Sequence, residues 1–444
     1  MNYLILGANA AGLSAAVRIL KCDKNAKITV LEKSEVVSFG SCGIPYYVAG
    51  EFTDIEQMTA RPYQDFIKLG IDIKLQHEAI EIDIKHKTVI SHHLSDKKQV
   101  EFVYDKLLIA VGASPSRPPV NGLDVQNVMT MHSRDDAKRI VNALDHTENV
   151  VIIGGGFIGL EAAEALRHQG KNVTLVEFAP RILNKAFDEQ ITTLLQQELV
   201  KNGVNLRTEE AVNSILSDNG KVTAVVTNKN SYLADLVIVA TGFKPNTAFL
   251  KQSGIELTPQ GAIIIDNACR TNIVDVYAAG DCATVVHCIL GNTFIPLATT
   301  ANKLGRLVGD VMAGHNSQFI GTLGSSGIRI FDFEAGRTGI TEEEAKHNNI
   351  DYGVVFVKDK NHTDYVQPQT DIWVKLIYDK VSRVLLGGQI CGAYLGGSVH
   401  RVDALAVAIY AKLTVEQLGF MDFIYAPPFA RTWDVLNIAG NVAK

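Results

Sequence analysis

The sequence predicts an α/β fold made of two copies of one strand–turn–helix unit, followed by a smaller α+β domain. Three observations carry this reading. An apolar run, a glycine-rich turn and a helical stretch follow one another near residue 2 and again near residue 150. In each copy a second apolar run ends on a glutamate. Residues 321–444 lack any such unit and alternate in strand fashion (328–331, 353–357, 372–377, 384–388) before helical stretches near 398–412 and 414–420.

In the first copy, residues 2–6 are the strand, Gly7-Ala8-Asn9-Ala10-Ala11-Gly12 the turn and 13–20 the helix, and 28–31 leads to Glu32. The middle glycine of G-x-G-x-x-G is missing, with Asn9 in its place. Glu32 stands 20 residues after Gly12, where a carboxylate accepts ribose hydroxyls. A pyrophosphate would rest on the helix amino end, where free N–H groups and the dipole favour anions. The second copy is complete: 150–153, Gly154-Gly155-Gly156-Phe157-Ile158-Gly159, 160–168, and 173–176 ending at Glu177, 18 residues beyond Gly159. Two fingerprints in context predict two Rossmann-like dinucleotide-binding domains. Glu177 favours NADH, because a carboxylate there repels the extra phosphate of NADPH; Arg181 nearby leaves NADPH open.

Residues 104–113 and 234–242 resemble each other, each a strand ending in a small-residue turn after its own dinucleotide unit. The run 271–283, ending Ala279-Gly280-Asp281-Cys282-Ala283, is a strand closing on a Gly-Asp turn. These markers divide the chain into 1–117, an inserted 118–244, a return to the first domain over 245–320, and a C-terminal domain over 321–444.

The bulk properties narrow the function. At 444 residues the chain exceeds one ordinary core, and 47% hydrophobic with 20% charged residues reads as a well-buried globular protein. A net charge of −6 without a long basic run argues against nucleic acid. The apolar amino terminus is too short for a signal peptide, and no stretch reaches the roughly 18 apolar residues of a membrane span. The six cysteines (22, 42, 269, 282, 288, 391) form no CxxC, which suits a reducing cytoplasm and offers no metal site. His92-His93 lies in a polar, turn-like stretch expected to be exposed.

Cys42 sits alone in Ser38-Phe39-Gly40-Ser41-Cys42-Gly43-Ile44-Pro45-Tyr46-Tyr47. A dithiol reductase would place a second cysteine a few residues on, where this chain has Tyr46 and Tyr47. A lone redox sulfur cycles between thiolate and a mixed disulfide or a sulfenic acid. A helix starting near Gly43 would favour the thiolate.

The whole chain resembles the pyridine nucleotide-disulfide oxidoreductases, in the single-cysteine branch. That branch holds CoA-disulfide reductase, NADH oxidase, NADH peroxidase and the CoA-linked polysulfide or persulfide reductases. The likeness runs end to end and includes Ile295-Pro296-Leu297-Ala298 with Ala301-Asn302-Lys303, a flavin-lining helix start. It implies FAD held by Gly7, Ala11, Gly12, Glu32, Lys33, Ala113, Asp281, Leu297 and Ala298. It implies NADH held by Gly154, Gly156, Gly159, Glu161, Glu177 and Gly242, with Glu161 near the nicotinamide. Asp281 matches the aspartate of the second flavin motif.

Within the branch the residues resemble CoA-disulfide reductase most. Ala10 stands where oxidase and peroxidase members carry a histidine, residues 42–47 look like the CoA-disulfide reductase loop, and Tyr365 and Tyr425 fall at its tyrosine pair. The resemblance implies Cys42, Tyr365 and Tyr425 as catalytic residues, and CoA contacts at Ser14, Arg18, Lys21, Ser38, Ser41, Arg61 and Asn302. Trp433 departs from a lysine found in some relatives near the CoA phosphates. A homodimer is implied, with Tyr425 reaching the opposite subunit. The alternatives are an NADH oxidase reducing oxygen, a CoA persulfide or polysulfide reductase, and a non-catalytic flavin-bound sensor.

Overall fold

Parallel strands need long crossovers, and the apolar strands with their intervening helices supply them. The computed structural model describes residues 1–443 and resolves into two units.

The first unit takes Met1–Gly43, Thr53–Ser116 and Phe243–Thr322. Its five-stranded parallel sheet runs Val276–Ala278, Lys106–Ile109, Asn2–Leu6, Lys27–Leu31, Asp72–Lys74 across the sheet. Residues distant in sequence thus pair side by side. The helices Ala10–Cys22 and Ala298–Met312 pack closely. Gly305 and Gly309 permit it, because a Cβ on either would strike the backbone or Arg18 side chain of the facing helix.

The second unit takes Ile44–Phe52, Arg117–Gly242 and Leu323–Lys444. Its parallel sheet has the order Asn205–Arg207, Asn172–Val176, Asn149–Ile153, Leu236–Val239, Val128–Met129. A separate five-stranded antiparallel sheet holds Ser326–Ile330, Phe333–Gly339, Leu385–Ala393, Asp371–Asp379 and Tyr352–Lys360. The helices Ser398–Tyr410, Val415–Gly419 and Val435–Asn441 come after it. No helix among the described residues is long and apolar enough to cross a membrane.

Two three-stranded antiparallel sheets, Lys98–Val103 with its two preceding strands and the 212–233 ribbon, carry no clear sequence signal. Their strands are half-exposed and polar, so they lack the continuous apolar run that marks a buried parallel strand. His92 and His93 accordingly end the strand Thr88–His93 instead of lying in an exposed turn. Both are half-buried, and the His93 ring stacks on His77 at 4.7 Å between centroids. Pairing of His77 opposite His93 across the ladder decides this.

Lys375 is the most deeply buried charge of the second unit, at 0% exposure. Its Nζ lies 2.6 Å from Glu342 Oε2, 2.9 Å from Gln190 Oε1 and 3.2 Å from Asp188 Oδ2. Gln389 donates to the same Asp188 oxygen at 2.6 Å. The group ties the helix Glu189–Lys201 to the antiparallel sheet. Removing one partner of such a cluster leaves an uncompensated buried charge. Lys375→Met should therefore cost about 3–5 kcal/mol, read by urea unfolding. Burial works to raise the Glu342 pKa, but hydrogen bonds from Lys375 and Lys346 overcome it and hold it at about 2. A depressed carboxyl stabilises fully above its unfolded pKa, and that contribution is lost as pH falls toward 2. The acid limb of the stability curve should flatten in Lys375→Met.

Candidate functional site

The first unit builds one glycine cradle. Gly7 takes φ +107°, and a Cβ there would collide with Ala110 O; one on Gly12 would collide with Gly7 O. The turn can exist only without those side chains. Glu32 accepts from Ala8 N at 2.7 Å and Ser34 N at 2.8 Å, so its carboxylate pins the turn to the strand end. Ala11 is buried behind it. Asp281 follows Gly280 at the end of the Val276–Ala278 strand; burial alone pushes its carboxyl pKa up, with no cation set against it among the described residues. A half-buried carboxylate next to Gly280, whose absent Cβ would lie 3.1 Å from Ala11 Cβ in the turn, fits the ribityl hydroxyls and pyrophosphate of FAD. Leu297 and Ala298 open the helix Ala298–Met312, and Ala113 begins a short ribbon with Phe243–Pro245. Lys33 is exposed and paired with Glu78 at 2.7 Å.

The second unit repeats the cradle. Gly154 has φ +110° against Ala240 O, and Gly159 abuts Gly154 O. Glu177 accepts from Gly155 N at 2.5 Å and Ala179 N at 2.6 Å, matching Glu32 bond for bond. Gly156, the residue before the helix Phe157–His168, is open to solvent with nothing near its missing Cβ. Gly242 takes φ +96° in equally open space. The bare N–H groups of this turn suit a second pyrophosphate. Phe178, next to Glu177, is 79% exposed, an aromatic surface that no sequence motif marks.

Cys42 is exposed in the one-turn 3-10 segment Ser41–Gly43, which runs straight into the helix Ile44–Ala49. Gly40 N donates to Met58 O at 2.7 Å, and Ala60 N to Ser38 O at 2.9 Å, so the 58–60 segment braces the loop from behind. A Cβ on Gly43 would press on the Met58 side chain, with Sδ at 2.7 Å. Cys269, Cys282 and Cys391 are buried, and burial pushes each thiol pKa far up. They are packing thiols.

The structure brings some candidates together and leaves others apart. Ser14 donates to Asn302 Oδ1 at 3.1 Å across the two packed helices. Arg18, on the same face, pairs with Asp310 at 2.5 Å, while Lys21 is exposed. Arg61 lies over the Phe66 ring at 4.7 Å. Cys22, Asp310 and His315 have ligand-type atoms within 4.8 Å of one another, a grouping hidden by 288 residues of separation, although Arg18 already occupies Asp310.

In the second unit the Tyr365 hydroxyl hydrogen-bonds that of Tyr425 and raises its pKa. Thr363 Oγ1 donates to Pro427 O at 2.8 Å and holds the two loops together. Trp433 packs edge-on against Phe420 at 6.1 Å. Glu161 sits in a crevice with Pro45, Tyr46, Glu164 and Arg329. Burial, then repulsion from Glu164, push its pKa up to about 7 against the opposing pull of Arg329. It therefore exchanges a proton near neutrality. Glu164 and Arg329 gave no sequence signal, since their partnership is set by tertiary packing.

Tyr365→Phe removes the hydrogen bond, so the Tyr425 pKa should fall back toward the ordinary value of about 10. NMR titration of the ring carbon bearing the hydroxyl, in tyrosine-labelled protein, would follow it.

Residues 1–305 match the pyridine nucleotide-disulphide oxidoreductase family, and residues 325–435 match its dimerisation domain. The chain is 38% identical over 446 residues to an NAD(P)H coenzyme A polysulfide/persulfide reductase of Pyrococcus horikoshii, covering 100% of this chain and 98% of that protein. It is 35% identical over 446 residues to an NADH oxidase of Enterococcus faecalis, covering 100% and 99% respectively. Among solved structures, an NAD-dependent persulfide reductase from A. fulgidus aligns with a TM-score of 0.96 at 36% identity, over 100% of this chain and 83% of its own. With paired glycine cradles, an exposed cysteine that has no second cysteine in its loop, and a matching C-terminal domain, the chain belongs to the pyridine nucleotide-disulphide oxidoreductases.

Proposed function

We propose that this protein reduces coenzyme A disulfide with NADH, through bound FAD and the single thiol of Cys42. The observation that carries the reading is the exposure of Cys42 with no second cysteine in its loop, while three other thiols are buried. Bound FAD supplies the chemistry the chain lacks, accepting a hydride from NADH and passing two electrons to sulfur.

Glu32, Asp281 and the 7–12 turn would hold FAD, and Glu177 and the 154–159 turn would hold NADH. The Cys42 thiolate attacks one sulfur of CoA–S–S–CoA, breaking that bond to form Cys42–S–S–CoA and expel one CoA thiolate. Two electrons then cleave the mixed disulfide, restoring the Cys42 thiolate and releasing the second CoA. Overall, NADH, one proton and CoA disulfide give NAD⁺ and two CoA thiols. Tyr425, a phenol whose ordinary pKa of about 10 already keeps it protonated at neutral pH, donates the proton that each leaving thiolate needs. Ser14, Arg18, Lys21, Ser38, Ser41, Arg61 and Asn302 receive the CoA.

Tyr425 acts in the partner subunit of a homodimer. Supporting this, Phe420, Ile424, Phe429 and Trp433 around it are 77%, 76%, 66% and 51% exposed, an apolar set that association would cover. A thiolate-based cycle suits the cytoplasm. A second reading, reduction of a CoA persulfide by the same Cys42, is favoured by the activity named for the Pyrococcus horikoshii relative.

Anaerobic NADH oxidation with CoA disulfide should be fast in the FAD-loaded protein and absent in Cys42→Ser. Tyr425→Phe should lower kcat about 100-fold. No turnover on CoA disulfide alongside turnover on CoA persulfide would replace the first reading with the second. Glu177→Ala should raise KM for NADH about tenfold and narrow the preference over NADPH, since it removes ribose contacts and the repelling charge.

A further inference from the structure

We infer that Arg329 is a positioning residue for Cys42, clamping the short helix that comes directly after it. The inference rests on Cys42 being the redox thiol. Cys42 is exposed, so burial contributes little to fixing its place. The adjoining helix, Ile44–Ala49, has only six residues, far below the ~12–15 residues at which an isolated helix holds itself together. Its place must come from tertiary contacts, and Ile44, Pro45 and Val48 supply an apolar underside.

Arg329 supplies the polar side. It lies on the strand Ser326–Ile330, where its guanidinium reaches Glu51 Oε1 at 2.6 Å. It also stands over the Tyr46 ring at 5.1 Å and the Tyr394 ring at 5.4 Å. Glu51 N donates back to Tyr46 O at 3.0 Å, so the anchored carboxylate is part of the helix terminus. The other side of the guanidinium meets Glu164, on the helix Phe157–His168. Nε lies 2.9 Å from Glu164 Oε1, but out of line for a hydrogen bond, so charge holds that contact. Phe331 N donates to the second Glu164 oxygen at 3.0 Å, fixing the carboxylate on the strand side. Gln169, just past the same helix, donates to Ala49 O at 2.8 Å and ties down the far end of Ile44–Ala49.

One cation thus joins three elements: the helix after Cys42, the helix of the second glycine cradle, and the first strand of the antiparallel sheet. The Glu164 side of this arrangement is dry, whereas Glu51 is 43% exposed. The Arg329 side chain is 20% exposed and that of Glu164 6%, so the charges are weakly screened and a lost partner is poorly replaced by water. A displacement of an ångström at a reacting group costs on the order of 100-fold in rate, which makes the clamp matter to the chemistry.

The test uses full-length, FAD-loaded protein carrying Glu51→Gln, Arg329→Lys or Arg329→Met. Glu51→Gln touches only the anchor on the Cys42 side, at a half-exposed residue, and so guards against a folding defect in Arg329→Met. Two measurements are made on each: amide hydrogen exchange of residues 41–49, and kcat with KM for NADH. In Glu51→Gln, exchange over 41–49 should quicken about tenfold and kcat should fall about tenfold, with KM for NADH unchanged. Arg329→Met should exceed both effects, and Arg329→Lys should recover part of each. Wild-type exchange at 41–49 in Glu51→Gln and in folded Arg329→Met would overturn the proposal. So would faster exchange with an unchanged kcat, since the clamp would then be structural only. If the wild type reduces a CoA persulfide or oxygen but not CoA disulfide, the substrate reading fails, and kcat on that acceptor still decides the role of Arg329.

Discussion

The closeness with which each first helix approaches its own strand governs this molecule. Gly12 against the Gly7 carbonyl, and Gly159 against the Gly154 carbonyl, leave no room for a side chain. Only that approach aims a run of bare N–H groups at one point, where an anion replaces the missing intrahelical partners. Glu32 and Glu177 complete the device from the neighbouring strand. Each spends its two oxygens on backbone N–H groups of the turn and of the residues just after the strand. The same carboxylates keep further lone pairs after bracing the turn.

Charge does different work in the second unit. Lys375 and Arg329 are each surrounded by carboxylates, and each joins the glycine-cradle part of the unit to the antiparallel sheet. Such groups add little net stability over apolar packing, but they specify one arrangement, because any slip leaves a charge unpaired in a dry place. The crowding of Glu161 and Glu164 beside one guanidinium has a second effect. Added to the larger effect of burial, the repulsion from Glu164 raises the Glu161 pKa to about 7 against the pull of Arg329.

The sulfur chemistry is set by contrast. Three cysteines are buried with thiols driven far from ionisation, while Cys42 is presented on a turn braced by the 58–60 segment. A thiol with no second cysteine in its loop has no local partner for an internal disulfide, which leaves a mixed disulfide with a small thiol or a sulfenic acid as its oxidised forms. Tyr365 and Tyr425 lie together in the second unit, and the hydrogen bond between them raises the Tyr425 pKa.

The sequence by itself determined the two cradles, the acidic residues that close them, the isolation of Cys42 and the strand-rich C-terminal domain. These are local patterns: a turn without room for Cβ demands glycine at fixed spacing, and a buried parallel strand demands a continuous apolar run. The half-exposed strands holding His92 and His93 lacked that run, and only ladder pairing revealed them. Tertiary structure alone decided the pairing of Ser14 with Asn302, of Arg18 with Asp310, and of Tyr365 with Tyr425. It alone gathered Glu51, Glu164 and Arg329, which stand 113 and 165 residues apart in sequence. A charged residue looks the same in sequence whether it faces water or a buried partner; what distinguishes the two is the removal of solvent, which only packing accomplishes.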